Sequence, residues 1–356
     1  MNAGIDPALR NLPLREFRPR PHLRVEEHHV ERSRFPAIDV HNHLGRWLSE
    51  DGGWTSSDVG DLIAVMDACN VTSIVNLDGK WGDELEANLD RYDRGHPGRF
   101  ATFCHLDWSA TSEPDFTDRL VGGLRRSAAA GAKGVKVWKD LGLRIRDHAD
   151  AVLMPDDDRL SDVWDVAGEL GLPILIHVGD PVAFFEAADG RNERLEELLE
   201  HPDWSFSDAR FPRFERIMGS LEALVAAHPG TTFIGAHVGC FAEDISWVSR
   251  MLTAYPNFHI DIAARIAELG RQPRATRRLM LEHPDRVCFG TDLFPPSAKV
   301  YAIHYRFLET DDEHFPYSAE QIPPQGRWAI SGIALPDTVL RKVYRENTAR
   351  LVPGLA

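Results

Sequence analysis

The sequence predicts an α/β protein built as a (β/α)8 TIM barrel, with an extended N-terminal arm and long loops at the carboxyl-terminal face. Two observations lead to this prediction. Eight short apolar segments alternate with helical segments, which is the count for this barrel. Several of those segments, at 173–178, 231–238 and 286–292, are nearly continuous apolar runs, as expected of parallel strands buried on both faces. A doubly wound open sheet gives the same alternation with fewer strands.

The alternation begins after residue 35 and continues to the last helix. Gly131 and Gly171 follow two of the helical segments, where a glycine commonly ends a helix. The stretch after Asp292, up to residue 334, is predicted to be irregular because it contains two Pro-Pro pairs. The predicted strands are 37–43, 71–77, 100–107, 134–138, 173–178, 231–238, 257–262 and 286–292, and the predicted helices are 57–69, 83–95, 115–130, 159–170, 214–228, 243–254, 272–283 and 336–351.

We divide the chain into an arm, residues 1–35, and a catalytic barrel domain, residues 36–356. The arm is rich in Arg and Pro and lacks apolar periodicity, so it is predicted to be extended. Three long connections, 139–158, 179–213 and 295–330, are candidates for a lid over the barrel mouth. We expect a homo-oligomer, a dimer on base rates, with the arm as a candidate exchange element.

The composition of the chain indicates which classes of molecule it is expected to bind. The net charge of −15 argues against a nucleic-acid partner and against affinity for anionic membranes. The N-terminus lacks the apolar core of a signal peptide, and no apolar run approaches the ~20 residues that span a bilayer. The four cysteines form no Cys-x-x-Cys pair, which favours buried, reduced thiols. We therefore expect a soluble cytoplasmic protein that acts on a small molecule.

The first predicted strand carries the pattern on which the functional argument depends. His41 and His43 are two residues apart, so in a strand both imidazoles point to one face and can bind one metal ion. Active sites of such barrels lie where strands end. Other polar residues at predicted strand ends are Lys136, Lys139, His177, His237 and Asp292. Histidine with one carboxylate suits Zn²⁺, Mn²⁺ or Fe²⁺.

The motifs around these residues resemble the amidohydrolase superfamily. They are DVHNH at 39–43, LIHVGD at 175–180, FIGAHVG at 233–239 and FGTDLFPP at 289–296, and the closing VYRENTARLV at 343–352 resembles the last helix of one branch. That branch is typified by aminocarboxymuconate-semialdehyde decarboxylase and pyrone-dicarboxylate lactonase. The resemblance covers roughly residues 36–352.

The resemblance implies a role for each residue of the set. It implies that His41, His43, His177 and Asp292 bind a divalent metal. Asp292 would also take a proton from metal-bound water, and His237 would polarise the substrate or steady that water. Taken singly, His177 and His237 are more simply buried hydrogen-bonded histidines, and Asp292 a turn residue. Their joint occurrence at four strand ends favours the site.

Lys136 allows two interpretations. Val135-Lys136-Val137 resembles the segment of dihydroorotase-like members in which a carbamylated lysine bridges two metals. The branch that this chain resembles most is usually mononuclear, and there Lys136 would be a cation facing the substrate. We favour one ion, zinc, with manganese or iron as alternatives, and a second metal with carbamylated Lys136 stays open.

Cations near the barrel mouth predict a carboxylate-bearing substrate. The predicted reaction is hydrolysis of a lactone, ester or amide by metal-activated water. The alternative is non-oxidative decarboxylation of an unsaturated or aromatic acid, and a remote alternative is a catalytically inactive binding barrel. The predicted substrate-binding residues are Arg46, Trp47, Lys136, Lys139 and Arg265, with Trp54, Trp138 and Phe184 as further candidates for an apolar wall.

Overall fold

A computed structural model of the chain describes residues 6–49 and 51–355. Its core is a parallel barrel whose strands follow one another in chain order around the ring. The ring closes between the first and last strands, where Val40 N donates to Phe289 O at 3.0 Å and Asn42 bridges to Leu293. The strands are β1 Ala37–Asn42, β2 Val71–Asn76, β3 Phe100–Thr102, β4 Cys104–His105, β5 Val135–Val137, β6 Ile174–Ile176, β7 Phe233–Gly235, β8 Phe258–Asp261 and β9 Val287–Cys288.

β3 and β4 are two parts of one barrel strand, so the ring has the eight positions that the sequence predicts. β3 pairs with β2, β4 pairs with β5, and Phe103 stands between the two parts. Phe103 is fully buried in the barrel interior with Ile38, Leu175 and Ile234. Because each strand has one face toward this interior and one toward the surrounding helices, the strands are largely apolar, with buried polar residues such as Asp39, His41 and Lys136 among them.

Gly134, just before β5, makes room for Phe103. A β-carbon at Gly134 would stand 2.4 Å from the Phe103 ring, closer than any real contact. We expect Gly134→Ala to lower the free energy of unfolding by about 1–3 kcal/mol, measured by urea denaturation, because the packed interior has no space to yield. Gly190→Ala is the control, since nothing lies within 4 Å of its β-carbon position. Equal stability of the two variants would contradict this prediction.

The helices outside the ring agree with the sequence prediction to within a few residues at each end. Asp58 begins the first of them, accepting hydrogen bonds from Gly60 N and Asp61 N at 2.6 and 3.1 Å. The helices that cover the barrel are Val59–Cys69, Gly82–Asn88 with its continuation Leu89–Arg94, Phe116–Ala130, Ser161–Glu169, Phe214–Ala227, Ile245–Ala254 and Pro273–Glu282, and the closing helical segment is Asp337–Arg341, Lys342–Glu346 and Asn347–Leu351.

The prediction that residues 293–334 are irregular is wrong. A helix of 12 residues, Ala298–Glu309, covers the last strand, and two short antiparallel strands, Phe315–Pro316 and Ala329–Ile330, follow it. The helix buries Tyr301, Tyr305 and Leu308, which recur at helical spacing. Pro295-Pro296 lies before the helix and so does not interrupt it.

The arm contacts its own barrel from Phe17 onward, where Arg327 donates to the Phe17 carbonyl oxygen. It begins with two single turns of 3-10 helix, Pro7–Asn11 and Leu14–Glu16, and is otherwise without regular structure. His28 N donates to Asp312 at 2.7 Å, and Arg34 pairs with Asp337 at 2.9 Å. Dimerisation through the arm stays a prediction. Across the described ranges, no helix combines the length and apolar character needed to cross a membrane.

Candidate metal centre

Five predicted residues meet at the carboxyl-terminal mouth of the barrel. They line a single cavity of about 510 Å³. The four histidines lie in a strand or within two residues of its end, and Asp292 lies four residues after β9. Because the carboxyl ends of the strands meet at one mouth, residues far apart in sequence converge there. The five are His41, His43, His177, His237 and Asp292.

The Asp292 carboxylate lies at the centre of this group. Its Oδ1 is 3.2 Å from His43 Nε2 and 3.6 Å from His41 Nε2, and its Oδ2 is 3.9 Å from His237 Nε2. One ligand atom each of His41, His237 and Asp292 lie within 4.8 Å of one another. The Asp292 side chain is 22% exposed, and what is exposed faces the cavity. The imidazole nitrogens of His41, His43 and His237 surround the two carboxylate oxygens of Asp292. Nitrogen and oxygen ligands of these types fit a divalent cation.

In His41, His43 and His237, a hydrogen bond made by Nδ1 on the side away from the cavity orients the ring so that Nε2 points into the cavity. His41 Nδ1 donates to Asp261 at 2.8 Å, and His43 Nδ1 donates to Asp78 at 2.7 Å. His237 Nδ1 is 2.9 Å from the Ala263 carbonyl oxygen, to which it donates. In each ring, Nε2 therefore faces the cavity, which is the orientation that metal-binding histidines need.

Two of the five residues, His237 and Asp292, have a left-handed backbone conformation. His237 and the β-branched Val238 have φ of 57° and 63°, and Asp292 has φ of 60°. Such left-handed conformations are uncommon for residues other than glycine, and that of the β-branched Val238 is a genuine outlier. Outliers of this kind occur at functional sites, where the surrounding structure holds them. Asp261 provides part of that support, because its Oδ1 accepts from His237 N at 2.8 Å. Asp292 N donates to the His41 carbonyl oxygen at 2.8 Å.

His177 belongs to the same group but has a different neighbour. Its ring centroid is 4.4 Å from that of His237, and its Nε2 is 3.2 Å from Asp180 Oδ1. Its Nδ1 is buried and has no hydrogen-bond partner in the described part of the chain. Burial lowers the pKa of His177 to about 4, so the ring is neutral at physiological pH. A neutral, incompletely bonded imidazole is suited to metal binding.

Burial and neighbouring charge set the protonation of the centre. Burial opposes ionisation of Asp292, but His41 and His43 outweigh it and hold the pKa of that carboxyl below its usual range. Burial also opposes a charge on His43, yet the carboxylates of Asp78 and Asp292 prevail and raise the pKa of His43 to about 9. Burial lowers the pKa of His237 and of His41, so both rings are neutral at pH 7.

Metal uptake is therefore expected to release a proton. With its pKa raised to about 9, His43 of the metal-free protein carries a proton at pH 7, and an imidazolium cannot bind a cation. Apparent affinity for Zn²⁺ should rise with pH, by up to about tenfold per unit, and level off above the pKa of His43. Calorimetric titration of dialysed protein in buffers of different ionisation enthalpy measures the proton count. Affinity that does not depend on pH between 6 and 9 would contradict the prediction.

The predicted substrate-binding residues divide into three groups. Trp47, Lys139 and Arg265 line the cavity, and their contact with substrate stays a prediction. Lys136 is buried beside it, with Nζ 3.3 Å from His41 Nε2, and burial lowers its pKa to about 8. Arg46 is not brought into the cavity, because its guanidinium pairs with Glu84 and its Nε lies 3.1 Å from that carboxylate.

Sequence reasoning missed the carboxylates that orient the histidines. Asp78 follows β2, Asp261 ends β8, and Asp180 follows β6 within the LIHVGD motif. All three stand at or just after strand ends, as the histidines do, so their position after an apolar run is the feature of the sequence that indicates them. Burial opposes the charge on Asp180, but Lys139 and His177 outweigh it and lower the pKa of that carboxyl.

Aromatic rings form much of the cavity wall. Trp138 lies 4.9 Å from the His43 ring, and Phe294 lies 5.7 Å from it, as measured between ring centroids. Phe184 and Trp204 line the opposite part of the cavity and pack against each other at 6.1 Å. Walls of this kind suit a flat, partly apolar molecule.

A comparison with models of known protein families shows to which family this chain belongs. The model described as amidohydrolase (Amidohydro_2) matches residues 38–354. The chain belongs to the amidohydrolase family. It is accordingly an enzyme of the amidohydrolase superfamily with the predicted barrel fold, and the inactive-barrel alternative falls away. The match begins at the predicted first strand and includes all five residues of the candidate metal centre. A search of curated proteins found no match.

Solved structures share the fold of this amidohydrolase. A 2,6-dihydroxybenzoate decarboxylase from Rhizobium aligns with a TM-score of 0.56 at 16% identity, over 89% of this chain and 98% of the other. A dihydroxybenzoic acid decarboxylase from Polaromonas, with manganese and 2-nitroresorcinol bound, gives 0.55 at 14% identity, over 89% and 96%. A 5-carboxyvanillate decarboxylase from Sphingomonas paucimobilis gives 0.51 at 13% identity, over 89% and 98%. At these identities, the likeness concerns the fold.

Proposed function

We propose that this amidohydrolase is a metal-dependent hydrolase that cleaves a lactone, ester or amide bond in a small carboxylate-bearing substrate. His41, His43, His177 and Asp292 would hold one divalent ion, with zinc as the first candidate. The observation that carries the proposal is the ionised Asp292 carboxylate, whose Oδ1 lies 3.2 and 3.6 Å from Nε2 of the proposed ligands His43 and His41. His177 lines the same cavity, and the Nε2 of His237 lies 3.9 Å from the other carboxylate oxygen. A bound ion would supply a Lewis acid that polarises a substrate oxygen and acidifies water.

The residues of the chain divide the proton chemistry between them. Asp292, kept ionised by its neighbours, accepts the proton of the attacking water through a carboxylate oxygen. His237 donates from Nδ1 to Ala263, so its Nε2 carries a lone pair toward the cavity. A neutral ring in this tautomer accepts a hydrogen bond and orients water. Of the two roles predicted for His237, steadying water fits this arrangement better than polarising the substrate.

Arg265 is the best placed residue to bind a substrate carboxylate. Its Nη1 donates to the Ala264 carbonyl oxygen at 2.9 Å, which leaves further N–H groups of a buried guanidinium in the cavity wall. Lys139 is less available because it is paired with Asp180. We propose that Arg265 holds the carboxylate while the aromatic walls enclose the rest of the substrate.

Non-oxidative decarboxylation of an aromatic acid is the second candidate function. It is favoured by the aromatic walls formed by Trp138, Phe184, Trp204 and Phe294, and by the activities named for the solved structures of the same fold. In that reaction Asp292, ionised at rest, would first take a proton from a water molecule and then pass it to the carbon that loses carbon dioxide.

Product analysis separates the two reactions. Metal-reconstituted protein is incubated in H₂¹⁸O with a panel of carboxylated lactones and a panel of hydroxybenzoic acids. Hydrolysis predicts ring-opened product that carries ¹⁸O and no carbon dioxide. Release of carbon dioxide, with no ¹⁸O incorporated into a carboxyl group of the organic product, favours the decarboxylase. Absence of either product from both panels, with metal bound, would contradict the proposed function.

We further propose one metal ion rather than two. In the one-metal proposal, Lys136 is a cation that faces the substrate and does not bind the metal. Lys136→Ala should therefore keep about one tightly bound ion per chain after dialysis. Metal analysis by mass spectrometry measures this directly. Loss of all bound metal from Lys136→Ala would favour the alternative in which carbamylated Lys136 bridges two ions.

A further inference from the structure

A groove of about 850 Å³ lies on the outer surface of the barrel, between the helices Gly82–Asn88 and Phe116–Ala130. The exposed ring of Trp81 stands at its edge. Buried leucines of both helices give the groove an apolar lining, namely Leu85, Leu120 and Leu124. None of the roles described above uses this outer groove.

Carboxylates without an ion-pair partner give the outer groove a negative charge. Asp83, Asp107 and Asp118 line it and form no ion pair within residues 6–49 and 51–355, and in the same ranges Arg126 is the lining cation that lacks one. The other charged lining residues, Glu86 and Arg119, are each paired with a neighbour. A groove that combines apolar and negative groups is complementary to a partner that combines apolar and cationic side chains.

The N-terminal arm has this combination of side chains. Between residues 6 and 24, each exposed large apolar residue is followed directly by an arginine, in the pairs Leu9-Arg10, Leu14-Arg15, Phe17-Arg18 and Leu23-Arg24. The four apolar side chains are 50–61% exposed. The stretch has five arginines against two acidic residues, in a chain whose net charge is −15. So many exposed apolar side chains on one short segment indicate a surface that another molecule covers.

Within its own chain, the arm lies on a different side of the barrel from the outer groove. Its contacts are with residues that follow the last strand, since Arg327 donates to the Phe17 carbonyl oxygen and His28 N donates to Asp312 at 2.7 Å. The outer groove lies beside the helices that follow β2 and β4. The family match begins at residue 38, so the arm lies outside the part of the chain that the family shares.

We propose that the outer groove binds the arm of a second copy of this chain. The apolar side chains of the arm pack on the leucine lining, and its arginines pair with the free carboxylates of the rim. In a two-fold dimer each arm enters the groove of the other copy, so every contact occurs twice and contributes twice to the buried area. This assembly does not depend on the proposed reaction.

Sedimentation velocity of the full chain over a concentration series tests the assembly. We expect wild type to dimerise as its concentration rises. Leu14→Ser combined with Phe17→Ser should weaken the dimer by about a hundredfold or more, because two large apolar side chains lose their cover. Asp83→Lys combined with Asp118→Lys should weaken it by about tenfold or more, because attraction at the rim becomes repulsion. All four residues are exposed in the single chain, so both variants should fold.

An exchange of charge between arm and groove separates a direct contact from a general disturbance. Arg15→Glu combined with Arg18→Glu should weaken the dimer as the groove variant does. A chain that carries these two changes together with Asp83→Lys and Asp118→Lys should recover most of the lost affinity, because opposite charges face each other again. A disturbance of folding would add up in the combined chain and would not be repaired.

Glu282→Lys combined with Glu346→Lys is the matched control. Both glutamates are exposed and lie outside the outer groove, so this variant makes the same change of net charge and should dimerise as wild type does. Three outcomes overturn the inference. Wild type stays monomeric at every concentration, the groove variant dimerises as tightly as the control, or the combined chain dimerises no better than the arm and groove variants do separately.

Discussion

His41→Ala is expected to remove both the bound metal and the catalytic activity. His41 presents Nε2 to the centre, and Asp261 and Lys136 contact its two ring nitrogens at 2.8 and 3.3 Å. Loss of a residue that only orients a metal ligand costs about ten- to a hundredfold in affinity or activity, so loss of the ligand itself should cost more. Turnover of the substrate identified by product analysis, together with metal content after dialysis, measures the effect.

His228→Ala is the matched control for this variant. His228 also donates from Nδ1 to an aspartate, Asp165, at 2.7 Å, but it lies just before β7, at the opposite end of the barrel from the candidate centre. It should keep full metal content and activity. A His41→Ala protein that turns over substrate as fast as His228→Ala does would refute the assigned site.

Asp292→Asn is expected to lower kcat by about 10²–10⁴-fold, the contribution typical of a positioned acid or base. The amide keeps the size of the side chain, and asparagine tolerates the left-handed conformation of this residue, with φ of 60°. The change therefore removes a charge and a proton acceptor with little disturbance of packing. Steady-state kinetics with saturating metal isolate the loss of proton transfer from weaker metal binding.

Asp165→Asn provides the comparison, because Asp165 has an equivalent hydrogen bond to a histidine remote from the cavity. Thermal unfolding of both variants should match wild type. If Asp292→Asn retained the wild-type kcat with metal bound, Asp292 would have no role in moving the proton, and the hydrolytic mechanism proposed here would be wrong.

The strand positions and the five convergent residues could be predicted because both depend on short-range patterns. A parallel strand buried on two faces is largely apolar, and the barrel places the polar residues that end such strands at one mouth. His177 and His237 follow from this rule with no knowledge of contacts. The helix Ala298–Glu309 was predictable in principle from its buried Tyr301, Tyr305 and Leu308, but the prolines on either side obscured it.

Side-chain partners could not be predicted in the same way, because they depend on the direction of each side chain after packing. Arg46 follows His43 by only three residues in the sequence, yet its side chain points away from the cavity and pairs with Glu84. Asp78 and Asp261 behave in the opposite manner, since each reaches behind a histidine and fixes its orientation. Neighbouring sequence shows that a charge is near the site and does not show which partner it takes.

The central claim is that a divalent ion binds among His41, His43 and Asp292, and anomalous diffraction tests it most directly. Crystals of zinc-reconstituted protein are measured on either side of the zinc absorption edge. The account predicts one strong anomalous peak per chain, at about 2.0–2.2 Å from the Nε2 atoms of both histidines and from an Asp292 carboxylate oxygen. A chain with no peak at this mouth, or with its strongest peak at another place on the protein, would contradict the account.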